Sequence, residues 1–133
     1  LTGEQGSALT DIGLADSQLS RINRALLQIR ARYADTLRIE DLAAAAAMSV
    51  ATFHRHFRAI TALSPLQFQK RVRLHEARAR LMAGSKDIAG IGFEVGYQSP
   101  SQFSREYARL FCVTPVEDLK QSRSGKEFNT TLN

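Results

Sequence analysis

The sequence predicts an all-α fold of seven helices, and three observations support it. One short pattern occurs twice, fifty residues apart: a serine followed at offsets +4, +6 and +8 by an aromatic residue, an arginine and an aromatic residue. Three Ser-Pro or Thr-Pro pairs stand where helices can begin. Apolar residues elsewhere recur three, four and seven positions apart, which is the helical period, and no segment is identified as a strand.

The first helix is predicted to begin at a cap formed by Asp16 or Ser17 and to run to about Tyr33. Residues 1–16 before it are rich in Gly, Ser, Thr and Asp, and the chain begins at Leu1 rather than at a methionine. We interpret this segment as a linker that remains from a missing upstream domain. The first helix is predicted to be amphipathic, because Leu19, Ile22, Ala25, Leu26 and Ile29 recur at spacings of three, four and seven.

Three later helix starts are marked by proline at the first helical position after a hydroxyl residue that can cap the helix. A Gln or Glu stands three places after each cap, as in a capping box. The caps and their partners are Ser64 with Gln67, Ser99 with Gln102, and Thr114 with Glu117.

The remaining helices are predicted over about 39–46, 49–60, 65–83, 87–95, 100–111 and 115–122. The helix from Pro65 ends before Gly84, and at 1.5 Å per residue it would be roughly 29 Å long. We therefore predict a first subdomain over 17–63, a linker helix over 64–84, a second subdomain over 85–123 and a mobile polar tail over 124–133.

The repeat also extends upstream of each serine. Five residues of the first copy match five of the second, which carries one more residue, Gln98, in its turn: Leu42, Ala43, Ala46, Ala47 and Met48 match Ile91, Gly92, Val95, Gly96 and Tyr97. A helix, a tight turn and a second helix, used twice, is typical of a protein with two helix-turn-helix motifs. This pattern indicates DNA binding.

The second helix of each motif can be divided into a buried and an exposed face by rotating 100° per residue. The predicted core face comprises Val50, Phe53, Phe57 and Ile60 in the first copy and Pro100, Phe103, Tyr107 and Leu110 in the second. The predicted exposed face comprises Ala51, His54, Arg55 and Arg58, then Ser101, Ser104, Arg105 and Ala108.

The exposed faces carry the candidate DNA contacts. Arg55 and Arg105 share one offset, and an arginine fork matches O6 and N7 of guanine in the major groove, although each could contact phosphate only. Ala51 can rest against a thymine methyl group, and His54, Ser101 and Ser104 can bond to base edges. Phosphate contacts are expected from Ser49, Arg58, Lys70, Arg71, Ser99 and Arg109. Gln102 is assigned to its capping box rather than to a base.

The charge is concentrated in one stretch of the chain. The net charge is +5, and residues 49–82 alone carry +6, from seven basic residues against one acid, Glu76. Such a band suits a polyanion-binding surface, although a solvated helix surface would have the same composition. The basic residues are Arg55, Arg58, Lys70, Arg71, Arg73, Arg78 and Arg80.

Other classes of function are disfavoured by composition. The chain has 44% hydrophobic residues and a mean hydropathy of −0.23, and no apolar run is long enough to span a membrane. Its single cysteine, Cys112, suits a reducing cytoplasm. His54 and His56 point about 160° apart on a helix, so we expect no metal, and we expect no cofactor and no catalysis because no nucleophile, phosphate-loop or carboxylate-pair motif is present.

Over residues 18–119 the sequence resembles the C-terminal DNA-binding region of AraC/XylS-type transcription regulators. The resemblance is carried by LAAAAAMSVATFHRHF, SPLQFQKRVRLHEARARLM and VGYQSPSQFSREYARLFCVTP. It implies two homeodomain-like subdomains on a linker helix and a monomer that contacts two adjacent major-groove segments of double-stranded promoter DNA. In such proteins the second helix of each motif reads bases, which corresponds here to Ala51, His54, Arg55, Ser101, Ser104 and Arg105.

The resemblance further implies recruitment of RNA polymerase, usually for activation, and an upstream effector or dimerisation domain. The opening LTGEQG resembles the end of such a domain, so this chain alone is expected to be monomeric. Ala47 and Cys112 replace glycines usual in the family, and Gly92 replaces an alanine. A non-glycine residue forced to positive φ would cost about 1 kcal/mol.

The main alternative is a basic helical adaptor that binds an acidic protein. It explains the charge but not why two motifs share the same exposed offsets. RNA binding is disfavoured because neither exposed face carries an aromatic residue for stacking on unpaired bases.

Overall fold

The computed structural model describes the backbone of residues 18–132 and the side chains of residues 18–123. This part of the chain contains seven helices and no strand, so the all-α prediction is confirmed. The predicted linker 1–16 and its caps at Asp16 and Ser17 lie outside the described residues. The helices are α1 (18–31), α2 (Ile39–Ala45), α3 (Val50–Thr61), α4 (Pro65–Met82), α5 (Ile88–Glu94), α6 (Pro100–Phe111) and α7 (Pro115–Leu132). Of the helices described, none has the length and apolar character that a membrane span requires.

The three proline-marked helix starts are confirmed at Pro65, Pro100 and Pro115. Each predicted cap accepts a hydrogen bond from the backbone N–H three residues later, at 3.1 Å for Ser64, 3.3 Å for Ser99 and 3.2 Å for Thr114. These bonds satisfy N–H groups that have no partner within the helix, which is why the helices begin there.

The chain divides into two compact units. Of the described residues, unit 1 contains 18–32 and Leu37–Gln69, and unit 2 contains Tyr33–Thr36 and the residues from Lys70 onwards. The first five residues of α4 therefore belong to unit 1 and the rest of α4 to unit 2.

Unit 1 has a core built from three helices and closed by α4. α1 contributes three apolar side chains at spacings of three and four, and the aromatic residues of α3 lie at its centre. Phe68 of α4 is partly buried and packs against this core. The buried residues of this apolar core are Ile22, Ala25, Ile29, Leu42, Ala43, Ala46, Phe53 and Phe57.

Unit 2 repeats this arrangement with the later part of α4 in the place of α1. Leu74, Ala77 and Leu81 have the same spacings of three and four as Ile22, Ala25 and Ile29. The other members of this apolar core are Ile91, Val95, Tyr97, Phe103 and Tyr107. The internal repeat thus comprises four helices, and α4 is the fourth helix of unit 1 as well as the first of unit 2.

The turns inside the two motifs have the same backbone hydrogen bonds. Met48 N–H donates to the Ala43 carbonyl and Tyr97 N–H donates to the Gly92 carbonyl, both at 2.9 Å. The residue at the sharpest point has positive φ in each turn, 55° at Ala47 and 109° at Gly96. The additional residue of the second copy, Gln98, follows this shared turn.

Two other residues adopt the left-handed conformation without being glycine. Ala62 ends α3 with φ 63° and Cys112 ends α6 with φ 66°. The strain predicted at Ala47 and Cys112 is therefore present in the backbone, and Ala62 is a third such site that the sequence analysis did not identify. Gly84, predicted to follow the end of the helix that begins at Pro65, lies two residues after the end of α4 and has φ 110°.

The predicted end of the last helix near residue 122 is wrong, because α7 continues to Leu132. The backbone of 124–132, predicted as a mobile tail, is therefore helical. Polar side chains do not end a helix by themselves, since its hydrogen bonds are made by the backbone, and no proline follows Pro115. Gly125 lowers helix stability by about 1 kcal/mol without stopping the helix.

Candidate nucleic-acid interface

Each unit contains one candidate interface, α3 in unit 1 and α6 in unit 2. We call these two helices the recognition helices. The Ser49 side chain caps α3, accepting from Thr52 N–H at 3.3 Å and donating its own proton to the Thr52 hydroxyl at 3.0 Å. Capping by Ser49 is thus confirmed, and its contact with phosphate stays a prediction.

Two aromatic residues fix the buried side of α3. Phe53 and Phe57 are completely buried, with ring centroids 5.5 Å apart. The two outer members of the predicted core face, Val50 and Ile60, are 41% and 40% exposed, so that part of the prediction is wrong. Helical periodicity gives the direction of a face, but the ends of a helix can extend beyond the core that covers its centre.

The opposite side of α3 is open to solvent. Ala51, His54, Arg55 and Arg58 are all exposed, as predicted. Neither arginine forms an ion pair with another described residue. Both guanidinium groups are therefore available to an external anion or base.

α6 has the same construction with different polar residues. Phe103 and Tyr107 are buried, Leu110 is partly buried, and Pro100, predicted on the core face, is exposed. The hydroxyl groups of Ser99 and Ser101 lie 3.0 Å apart.

Arg105 is exposed, and its Nε donates a long 3.4 Å bond to the Ser101 carbonyl one turn earlier. Ser101 is exposed as well, whereas Ser104 and Ala108 are half-buried. The second recognition helix therefore has a narrower accessible face than predicted.

Lys70 has a partner within unit 2. Its Nζ lies 2.6 Å from Glu106 Oε1, in a pair whose carboxylate is mostly buried. Burial raises the pKa of Glu106, but the hydrogen bond and the positive charge of Lys70 outweigh burial and hold that pKa below its usual value. A phosphate contact by Lys70 stays a prediction, and it would require competition with this ion pair.

Three other members of the basic band also make contacts inside unit 2. Arg73 donates to the carbonyls of Tyr33 and Asp35 at 2.6 and 3.0 Å, and burial lowers its pKa. Arg80 pairs with Glu76 and Glu94. Within the described part of the chain, only Arg55, Arg58 and Arg71 of the seven basic residues lack an internal partner.

Arg78 is the third of these basic residues with an internal partner. It belongs to a polar cluster that anchors α6. Asp118 of α7 is 5% exposed and accepts hydrogen bonds from the Tyr107 hydroxyl and from Arg78 Nε, the latter at 3.0 Å. Burial and the bond to Asp118 raise the pKa of Tyr107, so its hydroxyl remains a donor. The bond to Asp118 raises the pKa of Arg78.

Neither Glu106 nor Asp118 was predicted from the sequence to have a role. Their partners lie 36 and 40 residues away along the chain, and no local motif marks such pairs. Asp118 has the sequence context of an ordinary acidic residue in a first helical turn.

The remaining candidates are distributed as follows. Arg71 and Arg109 are exposed, and Ser99 is half-buried. Arg55 lies in unit 1 and Arg105 in unit 2, so their joint approach to one duplex stays a prediction. The described residues contain no group of three or more His, Cys, Asp or Glu side chains placed to hold a metal ion.

A family model described as "Helix-turn-helix domain" matches residues 42–121. The HTH-type transcriptional regulator ArgR of Pseudomonas aeruginosa is 34% identical over 112 residues, which cover 84% of this chain and 34% of that protein. The HTH-type transcriptional activator RhaS of Klebsiella pneumoniae is 31% identical over 104 residues, which cover 78% of this chain and 37% of that protein. The chain thus spans about a third of the length of these curated relatives.

Solved structures with folds similar to that of this chain include the following two. An AraC-type transcriptional regulator from Chromobacterium violaceum has a TM-score of 0.73 at 28% identity, covering 78% of this chain and 93% of that one. The DNA-binding domain of AdpA, a global transcriptional factor solved in complex with a target DNA, has a TM-score of 0.73 at 24% identity, covering 80% and 96%. At that identity the second comparison bears on the fold alone.

Proposed function

The chain belongs to the AraC-type family of helix-turn-helix, DNA-binding transcription regulators, and from this premise we propose that it binds promoter DNA with both recognition helices. In this proposal α3 and α6 enter two adjacent major-groove segments of double-stranded DNA. We retain the division into two subdomains joined by the linker helix 64–84, whose length suits grooves about 34 Å apart.

The observation that carries the proposal is the matched construction of the two recognition helices. Each is capped by a serine, held by two buried aromatic residues and exposes an arginine at the same offset, Arg55 or Arg105. An exposed guanidinium group on a helix held by its opposite side is the geometry that a guanine contact in the major groove needs.

The base contacts proposed are Ala51, His54, Arg55, Ser101, Ser104 and Arg105. The phosphate contacts proposed are Ser49, Arg58, Lys70, Arg71, Ser99 and Arg109. Arg55, Arg58 and Arg71 are supported most directly, because they are exposed and have no internal partner among the described residues.

We also propose that the whole protein acts in the cytoplasm as an activator that contacts RNA polymerase, without catalysis and without a cofactor. The name of the RhaS relative, a transcriptional activator, supports activation. We propose that this chain is monomeric and that any dimerisation uses an upstream domain.

Selection of bound sites from a random duplex pool tests the function. We expect two conserved half-sites about one helical turn apart and of different sequence, since the two exposed faces differ. Affinity should fall steeply as salt rises, and a scrambled duplex should bind more weakly than a selected one. Equal binding of all duplexes would contradict sequence-specific recognition and favour the adaptor alternative.

Arg55→Ala tests base reading by α3. It should reduce discrimination at one base-pair position by about 1–3 kcal/mol, because the guanidinium fork would no longer match guanine. Arg24→Ala is a matched control, since it removes one exposed positive charge from α1 of the same unit. If Arg55→Ala weakens every duplex equally, Arg55 contacts phosphate only.

A further inference from the structure

Gln102 of α6 forms only one of the two hydrogen bonds of the capping box that the sequence predicts. Gln102 stands three residues after the cap Ser99, where a capping box requires its side chain to bond to the Ser99 backbone N–H. Only the other half of the box is formed: Gln102 N–H donates to Ser99 Oγ at 3.3 Å. The Gln102 residue is exposed, and its side-chain amide bonds to no other described residue.

Gln67 shows what a complete box is like in the same chain. It has the same position relative to its cap, and its Oε1 accepts from Ser64 N–H at 2.9 Å while its own N–H donates to Ser64 Oγ at 3.1 Å. The two glutamines thus occupy the same position of a Ser-Pro-X-Gln sequence, but only the Gln67 side chain bonds back to its cap. The capping role that the sequence assigns to the Gln102 side chain is therefore wrong.

The position of Gln102 on α6 places it beside the candidate base reader. Gln102, Arg105 and Arg109 follow each other at spacings of three and four, so they form one row along the helix, and all three are exposed. Gln102 is also the third residue of α6, and the first residues of a recognition helix are those that contact base edges.

The chemistry of a free glutamine amide specifies one base. Its carbonyl oxygen accepts from N6–H of adenine while its NH₂ group donates to N7, a bidentate contact in the major groove. The corresponding residue of α3, Thr52, is half-buried and uses its hydroxyl group on Ser49. This contact is therefore available to the second recognition helix and has no counterpart in the first.

We propose that Gln102 is a specificity-determining residue that reads an adenine next to the base pair contacted by Arg105. The inference rests on the proposed function, because it requires α6 to enter the major groove. It adds a base contact to the half-site of unit 2.

The test is site selection from a random duplex pool with the wild-type chain, Gln102→Ala and Gln67→Ala. The wild type should select an adenine at one position of the second half-site, and Gln102→Ala should lose about tenfold discrimination there while keeping the rest of the site. Gln67→Ala should lower thermal stability and leave the selected sequence unchanged.

A chemical substitution in the DNA sharpens this test. Replacement of the selected adenine by 7-deazaadenine removes the N7 acceptor, so it should weaken wild-type binding and leave binding by Gln102→Ala unchanged.

Three outcomes would overturn the inference: retention of the adenine by Gln102→Ala, equal weakening of all duplexes, or a loss of stability matching that of Gln67→Ala. A wild-type chain that selects no sequence would overturn the proposed function itself, which is a different result from selection that does not depend on Gln102.

Discussion

In both units the recognition helix contacts the helix that follows it, but this contact is apolar in unit 1 and polar in unit 2. Phe57 of α3 meets Phe68, the fourth residue of α4, in an edge-to-face contact with ring centroids 5.8 Å apart. The equivalent residues of unit 2 are Tyr107 of α6 and Asp118, the fourth residue of α7, which are hydrogen-bonded and joined by Arg78. One position can thus attach a recognition helix through apolar packing or through a buried carboxylate.

The same contrast extends through the two units. Burial or a close polar partner displaces the pKa of six side chains of unit 2: Arg73, Arg78, Arg80, Tyr97, Glu106 and Tyr107. Unit 1 is held mainly by its apolar core, while unit 2 adds buried hydrogen bonds and ion pairs. Removing one partner from such a network costs more than removing an exposed charge, because it leaves a buried polar group unsatisfied.

The largest expected effect is that of Asp118→Ala. This change leaves the buried Tyr107 hydroxyl without its acceptor and should lower the free energy of unfolding by about 3 kcal/mol. Urea denaturation followed by circular dichroism measures it. The double variant Tyr107→Phe with Asp118→Leu makes the junction apolar, as in unit 1, and should recover at least half of the loss.

This pair of variants tests the comparison directly. If the double variant is as unstable as Asp118→Ala, then an apolar junction cannot replace the polar one, and the two positions are not equivalent.

A smaller effect on the free energy of unfolding is expected from a substitution where the first helix of a motif, α2 or α5, packs against its recognition helix. Ala43 and Gly92 are equivalent and both buried, but a Cβ atom on Gly92 would lie 2.9 Å from Cδ2 of the buried Phe103 ring. Gly92→Ala should therefore lower the free energy of unfolding by about 1–2 kcal/mol, since overpacking outweighs the gain in helix propensity. Thermal unfolding would show a lower midpoint.

The matched control is Ala43→Gly, which should also destabilise the protein, by about 1 kcal/mol, through lost helix propensity. A stabilising effect of Gly92→Ala would mean that Phe103 moves aside easily and that the close approach does not require glycine.

The sequence predicted those features that depend on local chemistry. Helix starts at Pro65, Pro100 and Pro115 follow from backbone N–H groups and nearby hydroxyl groups, and the buried aromatic residues follow from helical periodicity. The exposure of Arg55 and Arg105 was predicted in the same way. The family resemblance is supported by the matching family model and the relatives.

The features that depend on tertiary packing could not be predicted. The charge band suggested a polyanion-binding surface, but Lys70, Arg73, Arg78 and Arg80 have internal partners that only the packing of α4 against its neighbours determines. The side chain of Gln102 shows the same limit on a smaller scale, because a capping-box sequence does not ensure that both bonds form. Gly92 stands where the family usually has alanine, and the structure supplies a packing reason, because a Cβ atom there would meet the ring of Phe103.

The smallest expected effect concerns a strain that the two units share. Ala62 and Cys112 end their recognition helices with φ of 63° and 66°, and both side chains are exposed, so neither gains packing in return. Ala62→Gly and Cys112→Gly should each raise the free energy of unfolding by about 0.5–1 kcal/mol, because glycine adopts positive φ without the steric cost of a Cβ atom. Ala59→Gly, at an exposed position inside α3, is the control and should lower it by about 1 kcal/mol. Equal increases in the free energy of unfolding for Ala62→Gly and Cys112→Gly would show that both helix ends carry the same backbone strain, although the two junctions differ. A decrease for Ala62→Gly similar to that for Ala59→Gly would contradict backbone strain at Ala62.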